Sequence, residues 1–197
     1  MMPIAQHEFG ALLATIAAKT PAPGGGATAC SAGALAAAQA EMVVAYSIGK
    51  KDLAAHQETL TAARARLERG RAMLLELGDE DAQAYGLLNE LQKLPPGDAR
   101  REAEMPAAAA ACVQIPLAAL AVCAEMIRLM TELKPITNQH LRSDLVISAI
   151  LAEAAARACA CNVRVNLPTL GGDTARTATE TDRLVATARG AAALMHA

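Results

Sequence analysis

The sequence predicts an all-α protein, an up-and-down bundle of about six helices, and three observations carry that reading. Of 197 residues, 49 are alanine, the strongest helix former, while Phe, Tyr and Trp together number three. The strict alternation of a strand shows only at residues 163–165. Leucine recurs at seven-residue spacing at Leu53, Leu60, Leu67, Leu74 and Leu88, followed three positions later by His56, Ala63, Gly70, Leu77 and Leu91, the seam of a long helix.

The elements follow in order. A first helix is expected from near Pro3 to Ala18, with Ile4, Phe9, Leu12, Leu13 and Ile16 on its apolar side, ending at the loop Thr20-Pro21-Ala22-Pro23-Gly24-Gly25-Gly26. Residues 27–48 are nearly all small and lack a broad polar face, which marks a central helix surrounded by others. Gly49-Lys50-Lys51-Asp52 is expected to close it and cap the third helix, which runs through the leucine seam to about Leu94 and stops at Pro95-Pro96-Gly97. The fourth helix begins near Asp98 and carries Pro106 and Pro116, each expected to bend or restart it. A fifth starts between Asn138 and Ser143 and reaches about Cys161. Residues 162–170 read as extended, and a Gly171-Gly172-Asp173 turn precedes a last, more polar helix. With no internal repeat and no long linker, residues 1–197 read as a single domain. Alanine-faced helices leave little apolar volume per residue, so burial in a homodimer is expected.

Composition narrows the function classes. With 20 acidic and 18 basic residues the formal charge is −2, which gives no basic face for counterion release, so no nucleic-acid partner is expected. Two long apolar runs contain Gln39, Glu41, Gln114, Glu125 and Arg128 and do not read as membrane spans. Five cysteines without a Cys-x-x-Cys pair, and a start without a basic, apolar leader, predict a cytoplasmic protein with reduced thiols. His7, His56, His140 and His196 have no metal-ligand spacing, so no metal is expected.

Four features are candidates for chemistry. The leucine seam places Asp81 where a leucine belongs, so this carboxylate either faces a polar cavity, pairs with an arginine or lies at a bundle end. Ser143-Asp144 precedes an apolar helix, where Ser143 serves as a cap and Asp144 complements the dipole, or both meet a ligand. Gly24, Gly25 and Gly26 before a helix exceed what a turn requires and allow close backbone approach, although the Gly-Lys-Ser/Thr ending of a phosphate loop is missing. Lys50, Lys51 and Lys93 fall at helix ends, as solvated dipole partners or as a rim for an anion.

These landmarks also carry a resemblance. Pro21-Ala22-Pro23-Gly24-Gly25-Gly26, the small residues up to Met42-Val43, and Gly49-Lys50-Lys51 resemble the opening of the formiminotetrahydrofolate cyclodeaminase and methenyltetrahydrofolate cyclohydrolase family. Asp81-Ala82-Gln83-Ala84-Tyr85 is similar to that family's Asp-x-x-Ala-Phe, Lys93-Leu94-Pro95 to its Lys-Leu-Pro, and Ile115-Pro116-Leu117 to its Val-Pro-Leu. Asn138 with Ser143-Asp144 matches its Gly-Asn-x-Asn-x-x-Ser-Asp, and Asn162-Val163-Arg164-Val165-Asn166 its Asn-Val-x-Ile-Asn. The likeness spans about residues 5–170 and departs at Ala27 (Ser in the family), Thr137 (Gly) and His140 (Asn).

The resemblance implies a dimerising helical domain with a folate bound between the glycine loop and the Asp-bearing helices. It implies cyclohydrolase or cyclodeaminase chemistry on the one-carbon bridge of tetrahydrofolate, for which no metal or redox cofactor is expected. Asp144, Asp81 and His140 are then the expected catalytic groups. Gly24 to Gly26, Asn138 and Ser143 are expected to hold the substrate, with Lys50, Lys51 and Lys93 on its glutamate tail. The reading from another class is a catalytically silent helical dimer that binds a folate-like anion or a protein.

Overall fold

The computed structural model describes residues 9–171 and 174–196, so the expectations for Pro3, Ile4 and His7, and for Gly172-Asp173 in the turn, lie outside the described residues. The chain is all-helical there: α1 (Phe9–Ala17), α2 (Gly25–Ala45), α3 (Gln57–Lys93), α4 (Ala99–Leu133), α5 (Arg142–Asn166) and α6 (Ala175–His196), with short 3-10 turns at Lys51–His56, Gln139–Leu141 and Leu167–Thr169. α2 is the central helix, packed by α3 on one side and α5 on another, while α4 lies against α3 and α5, and α6 closes over α4 and α5.

The leucine seam organises this packing. Leu60, Leu67 and Leu74 of α3 are fully buried with Val43 and Val44 of α2 and with Leu120, Ile127 and Met130 of α4. Beyond α2, α3 and α4 continue as a two-helix hairpin with its own small core of Ala84, Leu88 and Leu91 against Ala108, Ala109 and Cys112. Asp81 stands between the two cores, level with the first turn of α2. The seam breaks where the core it serves ends.

α2 and α4 and the stretch 139–169 are long and apolar enough, by length and composition, to cross a membrane; 56%, 50% and 44% of their most apolar windows are buried against other helices of the bundle. Ion pairs tie helix to helix: Arg71 Nε donates to Glu41 Oε1 at 2.7 Å between α3 and α2, and Arg164 to Asp182 at 2.7 Å between α5 and α6. Glu41, a charge inside an apolar run, is thus consumed by packing.

Several sequence expectations change. α4 runs unbroken through Pro106 and Pro116, because buried side chains from Ala108 to Leu133, with Met105 half-buried against the hairpin core, hold it against its neighbours. Residues 162–166 are the last turns of α5 rather than extended chain, since Val163 continues the buried helical face of Cys159 and Ala160. α1 buries Leu12 and packs Ile16, but Phe9 and Leu13, one turn apart, face outward. Lys50 precedes the 3-10 turn without a side-chain cap, so Asp52 is a first-turn charge and not the cap. Ser143 does not cap α5, whose preceding residue is Leu141. Asp98 does cap α4, accepting from the backbone N–H groups of Arg100 and Arg101.

Candidate functional site

α2 starts with Gly24 in the N-cap position, which has no side chain to offer the first-turn N–H groups. The missing acceptor comes from α3: the Asp81 carboxylate lies over Gly26 and accepts from the backbone N–H of Ala27. The approach is so close that a Cβ on Gly26 would stand 2.1 Å from Asp81 Oδ2 and 2.3 Å from Oδ1. Gly26 therefore admits the carboxylate, which explains why a glycine is needed there. Ala27 contributes through its N–H, which any non-proline residue supplies, so the departure at this position leaves that contact intact.

Burial pushes the Asp81 carboxyl above the usual carboxylate range, and the Ala27 N–H offsets part of that rise. Asp81 opens into a cavity of about 270 Å³ lined by Pro21, Gly24, Gly25, Gly26, Asp81, Tyr85, Cys112, Asn162, Val165 and Asn166. Two of these, Asn162 and Asn166, stand one helical turn apart on α5. Asn162 Oδ1 is 3.2 Å from where a Gly25 side chain would begin, and Asn166 Nδ2 donates to the Cys112 carbonyl at 2.8 Å. A larger hollow of about 750 Å³ between α4 and α6 presents only Arg176 and Glu180 as charged groups and lacks any such convergence.

The other expected residues gather elsewhere. Gln39 Nε2 donates to Asp144 Oδ1 at 2.9 Å, the backbone N–H of Asn138 donates to Ser47 Oγ at 2.9 Å, and Lys50 Nζ lies 3.5 Å from Asn138 Oδ1. His140 is exposed nearby, its backbone N–H given to Asn138 Oδ1, and Ser143 and Lys51 are exposed. Gln39 follows Gly26 by 13 residues, so at 1.5 Å per residue the two groups are about 20 Å apart along α2. Within one chain, Asp81 and Asp144 do not share a site.

Nor do the three lysines. Lys51 and Lys93 flank the two ends of the 37-residue α3, about 55 Å apart.

Tyr85, Cys112, Asn162, Asn166 and Gln39 were not singled out by sequence reasoning as site residues. Spacing could have found the asparagines, since Asn162 and Asn166 at i and i+4 fall on one helical face.

Cys112 is buried at the cavity wall, and burial raises its thiol to about 11. Cys30, Cys123 and Cys159 are buried in the main core, and Cys161 is exposed. A thiol titration at pH 8 should therefore count one fast-reacting group per native chain and five after denaturation. A second fast thiol would show that the cavity wall opens.

Known proteins share both the sequence and this architecture. A profile of the formiminotransferase-cyclodeaminase family matches residues 8–184. The chain belongs to this family. A methenyltetrahydrofolate cyclohydrolase from Methylorubrum extorquens is 31% identical over 155 residues, 77% of this chain and 74% of that protein. The formimidoyltransferase-cyclodeaminase of Sus scrofa is 29% identical over 80% of this chain, and the chain spans only 30% of that longer enzyme. A formiminotetrahydrofolate cyclodeaminase from Thermotoga maritima has the same fold, with a TM-score of 0.89 over 98% of this chain and 95% of that one at 24% identity. The long α3–α4 hairpin and the central small-residue helix α2 are thus set within the formiminotransferase-cyclodeaminase family.

Proposed function

We propose that the protein is a folate one-carbon enzyme that hydrolyses the methenyl bridge of 5,10-methenyltetrahydrofolate, with cyclodeamination of 5-formiminotetrahydrofolate as the alternative reaction of the same centre. The observation that carries this reading is the Asp81 carboxylate, held over Gly26 at the wall of a small cavity with two asparagines opposite. A cavity of about 270 Å³ suits a bicyclic head group, with the remainder of the molecule leaving through the mouth. The names of the relatives in this family support the substrate class.

The chemistry follows from charge. The methenyl carbon between N5 and N10 shares a positive charge, and a carboxylate beside it stabilises the cation while the cation draws the carboxyl back toward ionisation. Water adds to that carbon as Asp81 takes one of its protons; Asp81 then returns that proton to N5 as the bond to N5 breaks, and the hydroxyl proton leaves to solvent as the formyl C=O forms on N10. A carboxyl raised by burial is the better proton acceptor near neutral pH. No metal or redox cofactor enters this sequence.

Incubation of the purified protein with each folate, followed at the methenyl chromophore, tests the reading. Accelerated loss from the methenyl compound is expected. No acceleration with either folate, beside tight folate binding, would favour the silent-binder alternative.

Asp144 enters this proposal through a homodimer. Gly25 lies opposite Asn162 and Gln39 opposite Asp144, so α2 and α5 are antiparallel, and between the two groups, nearer the Asp144 end, Leu35, Ile147 and Ile150 are 51%, 48% and 45% exposed. A two-fold axis at the Ile150 edge of that patch, on its cavity side, would bury it and set Asp144 of one copy toward the Asp81 cavity of the other. On this arrangement Asp144→Asn should lower turnover about 10²-fold with little change in stability, because the amide keeps its shape beside Gln39. Mixing the inactive Asp81→Asn and Asp144→Asn proteins, with subunits exchanged, should restore about a quarter of wild-type activity, from the one intact site in each hybrid dimer. A mixture as inactive as its components would reject the composite site.

A further inference from the structure

Pro116 lies inside α4 and has no N–H, so the carbonyl four residues earlier, that of Cys112, loses its helical donor. That carbonyl instead accepts from Asn166 Nδ2 of α5 at 2.8 Å. Both Cys112 and Asn166 line the Asp81 cavity. The pairing fixes more than distance: a carbonyl can only accept, so the amide must turn its NH₂ toward Cys112. Its Oδ1 is left to face elsewhere, and among the described residues no donor is paired with it.

We propose that Asn166 is a substrate-binding residue, a fixed hydrogen-bond acceptor that reads an N–H group of the ligand's head, and that Pro116 is its positioning residue through the Cys112 carbonyl. The assignment of the ligand rests on the folate reading above; the amide lock does not. A neutral, oriented acceptor beside Asp81 distinguishes a ring edge bearing N–H from one bearing only acceptors. An amide free to flip would serve either equally. The proline thus supplies the orientation without itself lining the cavity.

The test has two readouts on the intact chain. First, the chain has four asparagines, so the side-chain NH₂ signals of Asn-labelled protein can be assigned, that of Asn166 by its loss in Asn166→Ala. Its exchange with solvent should be slow in the wild type. In Pro116→Ala the restored N–H can bond Cys112 in the ordinary helical way, so exchange should quicken at least about tenfold. Alanine is favoured in a helix interior, so this variant is expected to fold.

Second, Pro116→Ala and Asn166→Ala should each raise KM for 5,10-methenyltetrahydrofolate about tenfold with kcat nearly unchanged, and the double variant should raise it no further. Unchanged amide exchange in Pro116→Ala would overturn the lock. Additive effects on KM would show that the proline acts by shaping α4 and not through Asn166. If the wild type turned over neither folate, the folate reading and the ligand assigned to this acceptor would fall together, while the amide exchange would still decide the lock.

Discussion

Gly26→Ala is expected to cost both stability and activity, and more of each than any surface substitution. The added methyl would lie 2.1 to 2.3 Å from the Asp81 carboxyl atoms, and these belong to a short side chain on a packed helix, with little freedom to withdraw. Relief requires α2 and α3 to separate or Asp81 to leave the first turn of α2, which also strips the Ala27 N–H of its acceptor. Overpacking of this kind costs about 1–3 kcal/mol. For a chain of this length that lowers Tm by about 2–4 °C per kcal/mol. Turnover should fall by about 10²-fold, since a displacement of the carboxylate by about 1 Å suffices for that. Thermal melts and folate assays on the same preparation check the pair. Unchanged Tm and turnover would mean that Asp81 does not sit over this glycine in solution.

Asp81→Asn separates the two roles that Gly26→Ala confounds. The amide fits the same space and its oxygen still accepts from Ala27, but it neither carries charge nor takes a proton. Turnover should drop by about 10²–10⁴-fold, the usual contribution of a positioned general base. Stability should move the other way.

The folded carboxyl titrates above its unfolded value, so ionisation disfavours the fold. Below the unfolded value of about 4 the group is protonated in both states and costs nothing; as pH rises through the folded value the cost appears in full. The variant has no such group. Its stability relative to wild type should therefore grow as pH rises from about 4 toward neutrality, and denaturant melts across that range measure the difference. A gap that shrinks with rising pH would place Asp81 in a favourable ion pair and remove the argument for a cavity carboxyl poised to take a proton.

The two variants also show which parts of the site could be read without coordinates. Asp81 was visible as the one break in a leucine spacing, because a helix repeats its buried face regularly and a carboxylate on it must be explained. The glycines at 24 to 26 were visible because three in a row exceed the needs of a turn. Asn162 and Asn166 were hidden by the alternation of Val163 and Val165, a local pattern that suggested extended chain. Burial of Val163 on the face of Cys159 and Ala160 overrode that preference.

The sequence by itself determined the six helices, the break at Pro95-Pro96-Gly97, the start of the fourth helix near Asp98 and the family motifs, since propensity, punctuation and spacing act over a few residues and are written locally. Only the tertiary structure decided which of those motifs meet. It set Asp144 beside Gln39, about 20 Å from Asp81, because periodicity says which face of a helix is buried but not which ends of two helices lie together. It also carried α4 unbroken through Pro116. The cost of the missing N–H is met across the bundle, where Asn166 supplies the donor that the helix could not.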